Sequence, residues 1–142
     1  MTRISAGIRA KELCDAHVIK ERIEVLRVPN NIKNGIAVID FKKIPKEFKL
    51  GTGHVKFFEN KLKYVFNRYN ELTEEVKRRG FVVTDYSSAF DDLPKELWND
   101  YVEQPNDRVI VRERIIERLN TMKNIKYYSN DCSVEELIKK MQ

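Results

Sequence analysis

The first residues of the chain, Met1 to Ile4, carry the group best suited to covalent chemistry, the terminal amine. An α-amine titrates at about 7.7 to 8.0 and a lysine amine at about 10.4, so near neutral pH the α-amine offers roughly a few hundred times more free base. Because a small second residue favours removal of the initiator Met1, we expect this amine on Thr2. An amine held beside a carboxylic acid can form a Schiff base, and the acid can then assist proton transfer.

The acid for such chemistry is expected on a helix from about Ala10 to about Lys33, with Asn34-Gly35 as its stop and Pro29 as a late interruption. At about 100° per residue, one side of this helix carries Ala16, Ile19, Ile23 and Leu26, and another carries Leu13, His17, Lys20, Glu24 and Arg27. Acids on helix surfaces are usually solvated or salt bridged. Glu24 therefore becomes a catalytic candidate only if the terminal amine lies beside it.

Other catalytic chemistries find little support in the sequence. Neither histidine has a sequence signature that ties it to a serine or cysteine nucleophile. The segment GTGHV is a short GxG at a predicted helix start, where an anion could bind, but we favour a structural role in which Gly51 and Gly53 allow a tight turn. Cys14 and Cys132 are far apart and unclustered, so we expect no disulfide, no metal and no other cofactor.

Length and charge limit the class of protein. With 142 residues, 42% of them hydrophobic, we expect one domain over residues 1–142. Lys and Arg number 27 against 22 Asp and Glu, a net charge of +5 that attracts polyanions without proving a nucleic-acid partner. No apolar run of about 18 residues and no secretory signal are present. We therefore expect a cytoplasmic monomer that does not span a membrane.

An all-α fold of about three main helices with long irregular connections is predicted. Between Gly53 and Gly80, spacings of three and four residues separate Val55, Phe58, Leu62, Val65, Tyr69, Leu72 and Val76. Thr52 is the expected cap of this helix and Gly80 its end. A third helix from about Asn106 to Lys123 should direct Val109, Ile110, Ile115, Ile116 and Leu119 inward, with Arg108, Arg112, Arg114 and Arg118 on other faces.

Two shorter segments complete the predicted elements. Phe81 to Val83 is the only strand-like run in the Pro-punctuated connections. The final SVEELIKKMQ predicts a short terminal helix, because Ser133 and Glu136 have the spacing of a capping box.

Several motifs, taken in order, resemble the phage-type pyrimidine dimer DNA glycosylases, also called endonuclease V, which are small all-helical repair enzymes. The matching residues are MTRI at the start, then Leu13, Asp15, His17, Glu24 and Arg27, the block DFKKIPKEFKLGTGHVKFFENKL, KRRGF, and KYY near the end. GxGHVxFFxxKL is the most specific of these. The similarity covers about residues 1 to 128, which leaves residues 129–142 as an additional tail.

The resemblance implies a glycosylase that also nicks the strand as an abasic-site lyase, acting on damaged double-stranded DNA without a cofactor. The Thr2 amine would attack C1′ at the 5′ base of a cyclobutane pyrimidine dimer and form an imine. Glu24 would stabilise the cationic transition state and help to remove the 2′ proton before β-elimination. Arg3 and Arg27 would bind phosphates, and His17 would order the pocket. In this family the base opposite the lesion is extruded and the DNA is kinked.

The resemblance also implies DNA contacts in the C-terminal third. Arg114 and Arg118 align with phosphate contacts, and Lys126, Tyr127 and Tyr128 fall on an aromatic segment that lies against the damaged strand. The alternative for the two tyrosines is that they pack against the first helix.

Four departures from the family pattern leave alternatives open. Ile23 stands where an arginine is usual, with Arg22 one step away, and one residue is added between Ile4 and Leu13. Asn124 and Ile125 replace two aromatic residues, and the tail is longer. One alternative keeps the chemistry but acts on abasic sites or on oxidised or ring-opened bases. Another is a helical DNA-binding protein without catalysis.

Overall fold

Helices make up 52% of the computed structural model and strands 4%, which confirms the all-α class. The structure describes residues 3–142. In chain order the elements are α1 (Asp15–Glu24), α2 (Arg27–Lys33), α3 (His54–Phe57), α4 (Leu62–Arg78), α5 (Pro105–Leu119), β1 (Lys126–Tyr127), β2 (Asn130–Asp131) and α6 (Val134–Lys140). The buried apolar residues form one cluster that runs from Ile4 to Met141.

The central helix α4 forms around an apolar face, as its spacing predicts. Leu62, Val65, Tyr69, Leu72 and Val76 are all buried on this face, and α1 is the helix that contacts α4 most extensively. Lys77 and Arg78 lie in the last turn of the helix. Gly80 follows with a φ of +89°, a conformation that suits glycine at a helix C-terminus. α4 therefore provides the support on which α1 is positioned.

The predicted single helix between Gly53 and Gly80 is wrong, because the chain breaks between α3 and α4. The break allows Phe57 and Phe58, which are adjacent in sequence, both to be fully buried. Thr52 is not the cap: α3 starts after Gly53, which has a φ of +91°. The tight turn expected from the glycines of GTGHV is confirmed.

The predicted helix 10–33 is also interrupted. A 3-10 turn at Ala10–Glu12 precedes α1, and the chain bends again between Glu24 and Arg27. Proline 29 explains the second break, since it has no N–H to donate to the carbonyl of Val25 four residues earlier. The core face of α1 carries Val18, whereas the expected apolar side is solvent-facing at Ile19 and Ile23.

The third predicted helix is confirmed as α5, but it is shorter and rotated relative to the prediction. Pro105 occupies its first turn, where a missing N–H has no cost. Its core residues are Val111, Ile115 and Leu119, whereas Val109 is 51% exposed. The apolar stripe therefore passes through Val111, which the prediction omitted.

The C-terminal tail is part of the packed structure. The Ser133 hydroxyl accepts a hydrogen bond from the Glu136 N–H at 3.2 Å, which confirms the predicted cap of α6. Leu137 and Met141 are buried in the core, and the Arg108 guanidinium donates to the Met141 carbonyl at 2.5 Å. Residues 129–142 thus contribute to the same core as the helices before them.

The only strands in the described residues lie in the C-terminal third. Strands β1 and β2 form a hairpin whose turn residues, Tyr128 and Ser129, have φ values of +51° and +66°. These values suit the turn of a two-residue hairpin but are unusual for tyrosine and serine, so no Asn-Gly signal predicts them. The strand-like run Phe81 to Val83 is not a strand, and Val82 lies entirely in solvent.

An internal ion network at the C-terminal end of α4 predicts a large stability effect. The Arg79 guanidinium contacts Glu75 and Asp15, each at 2.9 Å, and its side chain is fully buried. We expect Arg79→Met to destabilise the protein by about 3 to 5 kcal/mol, because the buried carboxylates of Asp15 and Glu75 lose the cation that joins them. Arg78 pairs with Glu75 at 2.7 Å but is 63% exposed, so Arg78→Met should cost less than about 1 kcal/mol. Urea unfolding measures both, and equal losses would contradict this assignment.

Candidate active site

A cleft of about 400 Å³ lies between Arg3, α1 and the C-terminal half of α5. Its lining residues are Arg3, Ala16, His17, Lys20, Glu21, Glu24, Arg114, Arg118 and Met122. Five of these are residues for which sequence analysis predicts a role: Arg3, His17, Glu24, Arg114 and Arg118. α1 contributes five residues to the wall, since residues three and four positions apart share a helix face.

The charges in the cleft favour a polyanion. Four cations, Arg3, Lys20, Arg114 and Arg118, line it together with the two acids Glu21 and Glu24. The carboxylate of Glu21 forms a buried ion pair with Arg68 at 2.7 Å and is thereby largely neutralised.

Glu24 is the acid that remains available to a bound molecule. Its side chain is 21% exposed and lies 3.8 Å from the Lys20 ammonium, a loose contact across one helical turn. A partly exposed carboxylate among cations is able to stabilise a nearby positive charge or to accept a proton.

Two cleft residues have pKa values shifted by their surroundings. Burial lowers the pKa of the Arg3 guanidinium, although the carboxylates of Glu21 and Glu24 oppose this shift, and a guanidinium stays protonated at neutral pH. Burial, Arg3 and Arg118 together lower the pKa of His17 to about 4. His17 is therefore neutral at pH 7, and its buried Nδ1 has no hydrogen-bond partner among the described residues.

The lowered pKa of His17 predicts acid sensitivity. An unfolded histidine has a pKa of 6.5 and so takes up its proton at higher pH than the folded protein does. The neutral folded histidine therefore contributes its full share of the free energy of unfolding above the unfolded pKa. As the pH falls towards 4, this contribution of roughly 3 kcal/mol is lost. Between pH 7 and pH 4.5, the free energy of unfolding in urea should fall more for the wild-type protein than for His17→Gln. This comparison cancels the contribution of His54, whose pKa is also lowered by burial; equal losses would contradict it.

Ile4 and Ser5, which follow Arg3 in the chain, are each held by a buried side chain. The Ile4 N–H donates to Nε2 of His54 at 2.7 Å, and the Ser5 N–H donates to Oε2 of Glu21 at 3.2 Å. No sequence pattern predicts such a role for His54. The specific GxGHV motif was the available signal, but a contact across 50 residues cannot be derived from spacing.

Thr2, the predicted nucleophile, lies outside the described residues. Arg3, which follows it in the chain, lines the cleft with Glu24.

Arg27 does not line the cleft. It borders a second, more open depression of about 560 Å³, together with Asn31, Gly53, Lys56 and Glu59 among others. The bend before α2 separates Arg27 from the stripe that a continuous helix would have formed.

Lys126, Tyr127 and Tyr128 do not line the cleft either. The rings of Tyr127 and Tyr128 stack on the Arg79 guanidinium, with centroids 4.7 and 4.8 Å from its central carbon. The Tyr128 hydroxyl donates to Glu75 at 2.6 Å, and its N–H donates to Asp15 at the start of α1. Lys126 pairs with Asp131 across the hairpin. Both tyrosines therefore pack at the first helix, as the alternative interpretation expected.

Arg22 does not take the place of the family arginine at Ile23. Its guanidinium donates to the Tyr69 hydroxyl at 3.0 Å, the Thr73 hydroxyl at 2.9 Å and the Thr84 carbonyl at 2.5 Å. The side chain is buried against α4, and Ile23 is exposed. Arg22 therefore fixes α1 to α4.

Within residues 3–142, no group of three or more His, Cys, Asp or Glu side chains could hold a metal ion. Within the same residues, no helix combines the length and the apolar character that crossing a membrane requires.

Comparison with known protein families supports the resemblance seen in the motifs. The family model described as pyrimidine dimer DNA glycosylase matches residues 1–87. This span is more than half of the 142-residue chain and contains Arg3, His17 and Glu24 of the cleft together with the GTGHV turn. The chain therefore belongs to the pyrimidine dimer DNA glycosylase family and is a DNA glycosylase.

Proposed function

We propose that this glycosylase is also an abasic-site lyase and that it acts through an imine of the Thr2 α-amine. The amine nitrogen bonds to C1′ as the glycosidic bond breaks and the base leaves with the electron pair. Ring opening gives the imine, loss of the 2′ proton breaks the C3′–O bond, and water then releases the sugar from the amine. The observation that carries the proposal is that Arg3, next to Thr2, lines the cationic cleft with Glu24.

Glu24 has two tasks in this proposal. Its carboxylate stabilises the positive charge that develops on the sugar, and it then accepts the 2′ proton. Partial exposure to the cleft suits both tasks, because the group must touch the substrate. The buried ion pair of Glu21 with Arg68 makes that acid a poorer candidate.

The remaining cleft residues hold the DNA backbone. We assign Arg3, Arg114 and Arg118 to phosphates that flank the lesion, since guanidinium groups bind phosphate in a bidentate manner. Neutral His17 offers a hydrogen bond without adding charge beside Glu24. Arg27 and the segment Lys126 to Tyr128 lie outside the cleft, and we assign them to outer DNA contacts along a kinked duplex.

Incision of defined duplexes tests the proposal. The wild-type protein should cut a duplex that contains one cyclobutane pyrimidine dimer, leave an undamaged duplex intact, and form a covalent protein–DNA adduct when borohydride is present. The 3′ product end should carry the unsaturated aldehyde of β-elimination. Base release without incision or adduct would contradict the lyase and imine steps while leaving the glycosylase activity in place.

One observation favours a second substrate class with the same chemistry. Ile125, which replaces an aromatic residue of the family pattern, is buried in the core, and the hydroxyls of Tyr127 and Tyr128 are bonded within the protein, to Lys11 and Glu75. Fewer rings are then available to stack on a dimer. Abasic or ring-opened sites in matched duplexes should therefore be cut at rates comparable to those of dimers; a strong preference for dimers would contradict this extension. Family membership argues against the binder without catalysis.

A further inference from the structure

The segment that begins at Ile4 is held by contacts that a frayed segment lacks. Ile4 and Ser5 are both fully buried, and their N–H groups bind side chains from two different helices. Terminal residues are ordinarily poorly ordered unless something ties them down. The two tethers lie within three residues of Thr2 and therefore limit the directions in which the chain can approach the cleft.

Of the two side chains that bind this segment, His54 has the better defined orientation, because its own ring is held by a hydrogen bond and by aromatic contacts. Its Nδ1 lies 2.8 Å from the Lys49 carbonyl and donates to it, which leaves a lone pair on Nε2 for the Ile4 N–H. The ring contacts Phe48 and Phe58 edge to face, with centroid distances of 5.5 and 5.3 Å. The Ile4 hydrogen bond thus selects one neutral tautomer in one orientation.

The turn before α3 makes this orientation possible. Gly53 adopts a φ of +91°, and a Cβ at that position would come within 3.3 to 3.5 Å of the Lys49 and Pro45 side chains. The same turn places the Lys49 carbonyl against the ring of His54. A buried backbone N–H such as that of Ile4 needs a hydrogen-bond partner. A backbone carbonyl or a water would also satisfy it, but neither would have the rigid support that His54 has.

We propose that His54 is a positioning residue for the terminal amine: by accepting the Ile4 N–H it orients the first three residues so that the amine meets the sugar carbon beside Glu24. The inference rests on the proposed function and deepens it. His54 touches neither DNA nor the reacting atoms and acts only through the backbone of Ile4. Loss of the acceptor should therefore slow the covalent step and leave phosphate binding unchanged.

Three variants of His54 separate orientation from folding. His54→Phe keeps an aromatic ring but has no acceptor, His54→Gln places an acceptor oxygen at the reach of Nε2, and His54→Asn places one at the reach of Nδ1. Tyr64→Phe is the matched control, because it removes a hydrogen bond to Glu103 in the same aromatic cluster without changing the terminal segment. Imine formation is measured in single turnover at saturating protein by borohydride quenching, and DNA affinity is measured separately.

We expect His54→Phe to lower the single-turnover rate by about 10²-fold, the size of effect seen when reacting groups are misplaced by about 1 Å. The DNA dissociation constant should stay within about twofold, and His54→Gln should recover most of the rate. A folded His54→Phe protein that forms the imine at the wild-type rate would overturn the inference. If His54→Phe does not fold, equal rates for His54→Gln and His54→Asn would overturn it.

The wild-type protein separates this inference from the proposed function. An adduct in the wild type together with normal rates in the His54 variants refutes the positioning role alone. A folded wild-type protein that binds damaged DNA and forms no adduct refutes the imine mechanism, and the positioning role falls with it.

Discussion

A single residue added before Thr2 is expected to reduce imine formation to the level of a control without enzyme. An added residue converts the reactive amine into an amide nitrogen, whose lone pair is delocalised and cannot attack C1′. The new terminal amine is displaced by one residue, about 3.8 Å between successive Cα atoms. Gly-Thr at the start, compared with the mature Thr2 form, tests this in a borohydride assay with abasic duplex DNA.

DNA affinity is the control for the extended protein. The cations of the cleft, Arg3, Arg114 and Arg118, remain in the extended form, so its affinity and salt dependence should match those of the mature protein. Intact mass establishes that Met1 has been removed from the reference sample. An extended protein that forms the adduct at the normal rate would show that another amine, such as a lysine, is the nucleophile.

Glu24→Gln is expected to lower the rate of strand incision by about 10² to 10⁴-fold, the usual contribution of a positioned acid or base. The amide keeps the size of the side chain but neither accepts the 2′ proton nor carries the negative charge that stabilises the cationic sugar. Binding should be equal or tighter, because a negative charge leaves a cleft that holds four cations. Single-turnover incision and affinity are measured on the same dimer-containing duplex.

Glu74→Gln is the matched control for Glu24→Gln. Glu74 lies on an exposed face of α4 and does not line the cleft, so this variant removes the same charge without touching the site. Its incision rate should equal that of the wild type. Equal rates for Glu24→Gln and the wild type would exclude Glu24 from the reaction.

Local rules predicted those parts of the fold that local contacts determine. The apolar face of α4 is buried as its spacing indicates, Gly80 follows its end, and Ser133 caps α6. The errors arise where tertiary packing prevails over local pattern. Phe57 and Phe58 are both drawn into the core, which divides the predicted helix. Tyr128 and Ser129 accept positive φ values because buried partners hold the hairpin.

The candidate site also combines residues that helical spacing predicts with contacts that only the tertiary structure makes. His17, Lys20 and Glu24 reach one cleft because helical spacing aligns them, and this is visible in the sequence. Arg27 is lost from that stripe because Pro29 removes a hydrogen bond and bends the chain. The hydrogen bond between Ile4 and His54 joins residues that are far apart in sequence. No periodicity can reveal such a contact, and the three-dimensional arrangement is needed to find it.

Identification of the cross-linked atom decides whether the terminal amine is the nucleophile. The mature protein is trapped with borohydride on an abasic duplex, digested, and the modified peptide is sequenced by mass spectrometry. We expect the reduced sugar on the α-amine of Thr2, in the first peptide of the mature protein. Attachment to a lysine side chain, with an unmodified terminal peptide, would contradict this expectation.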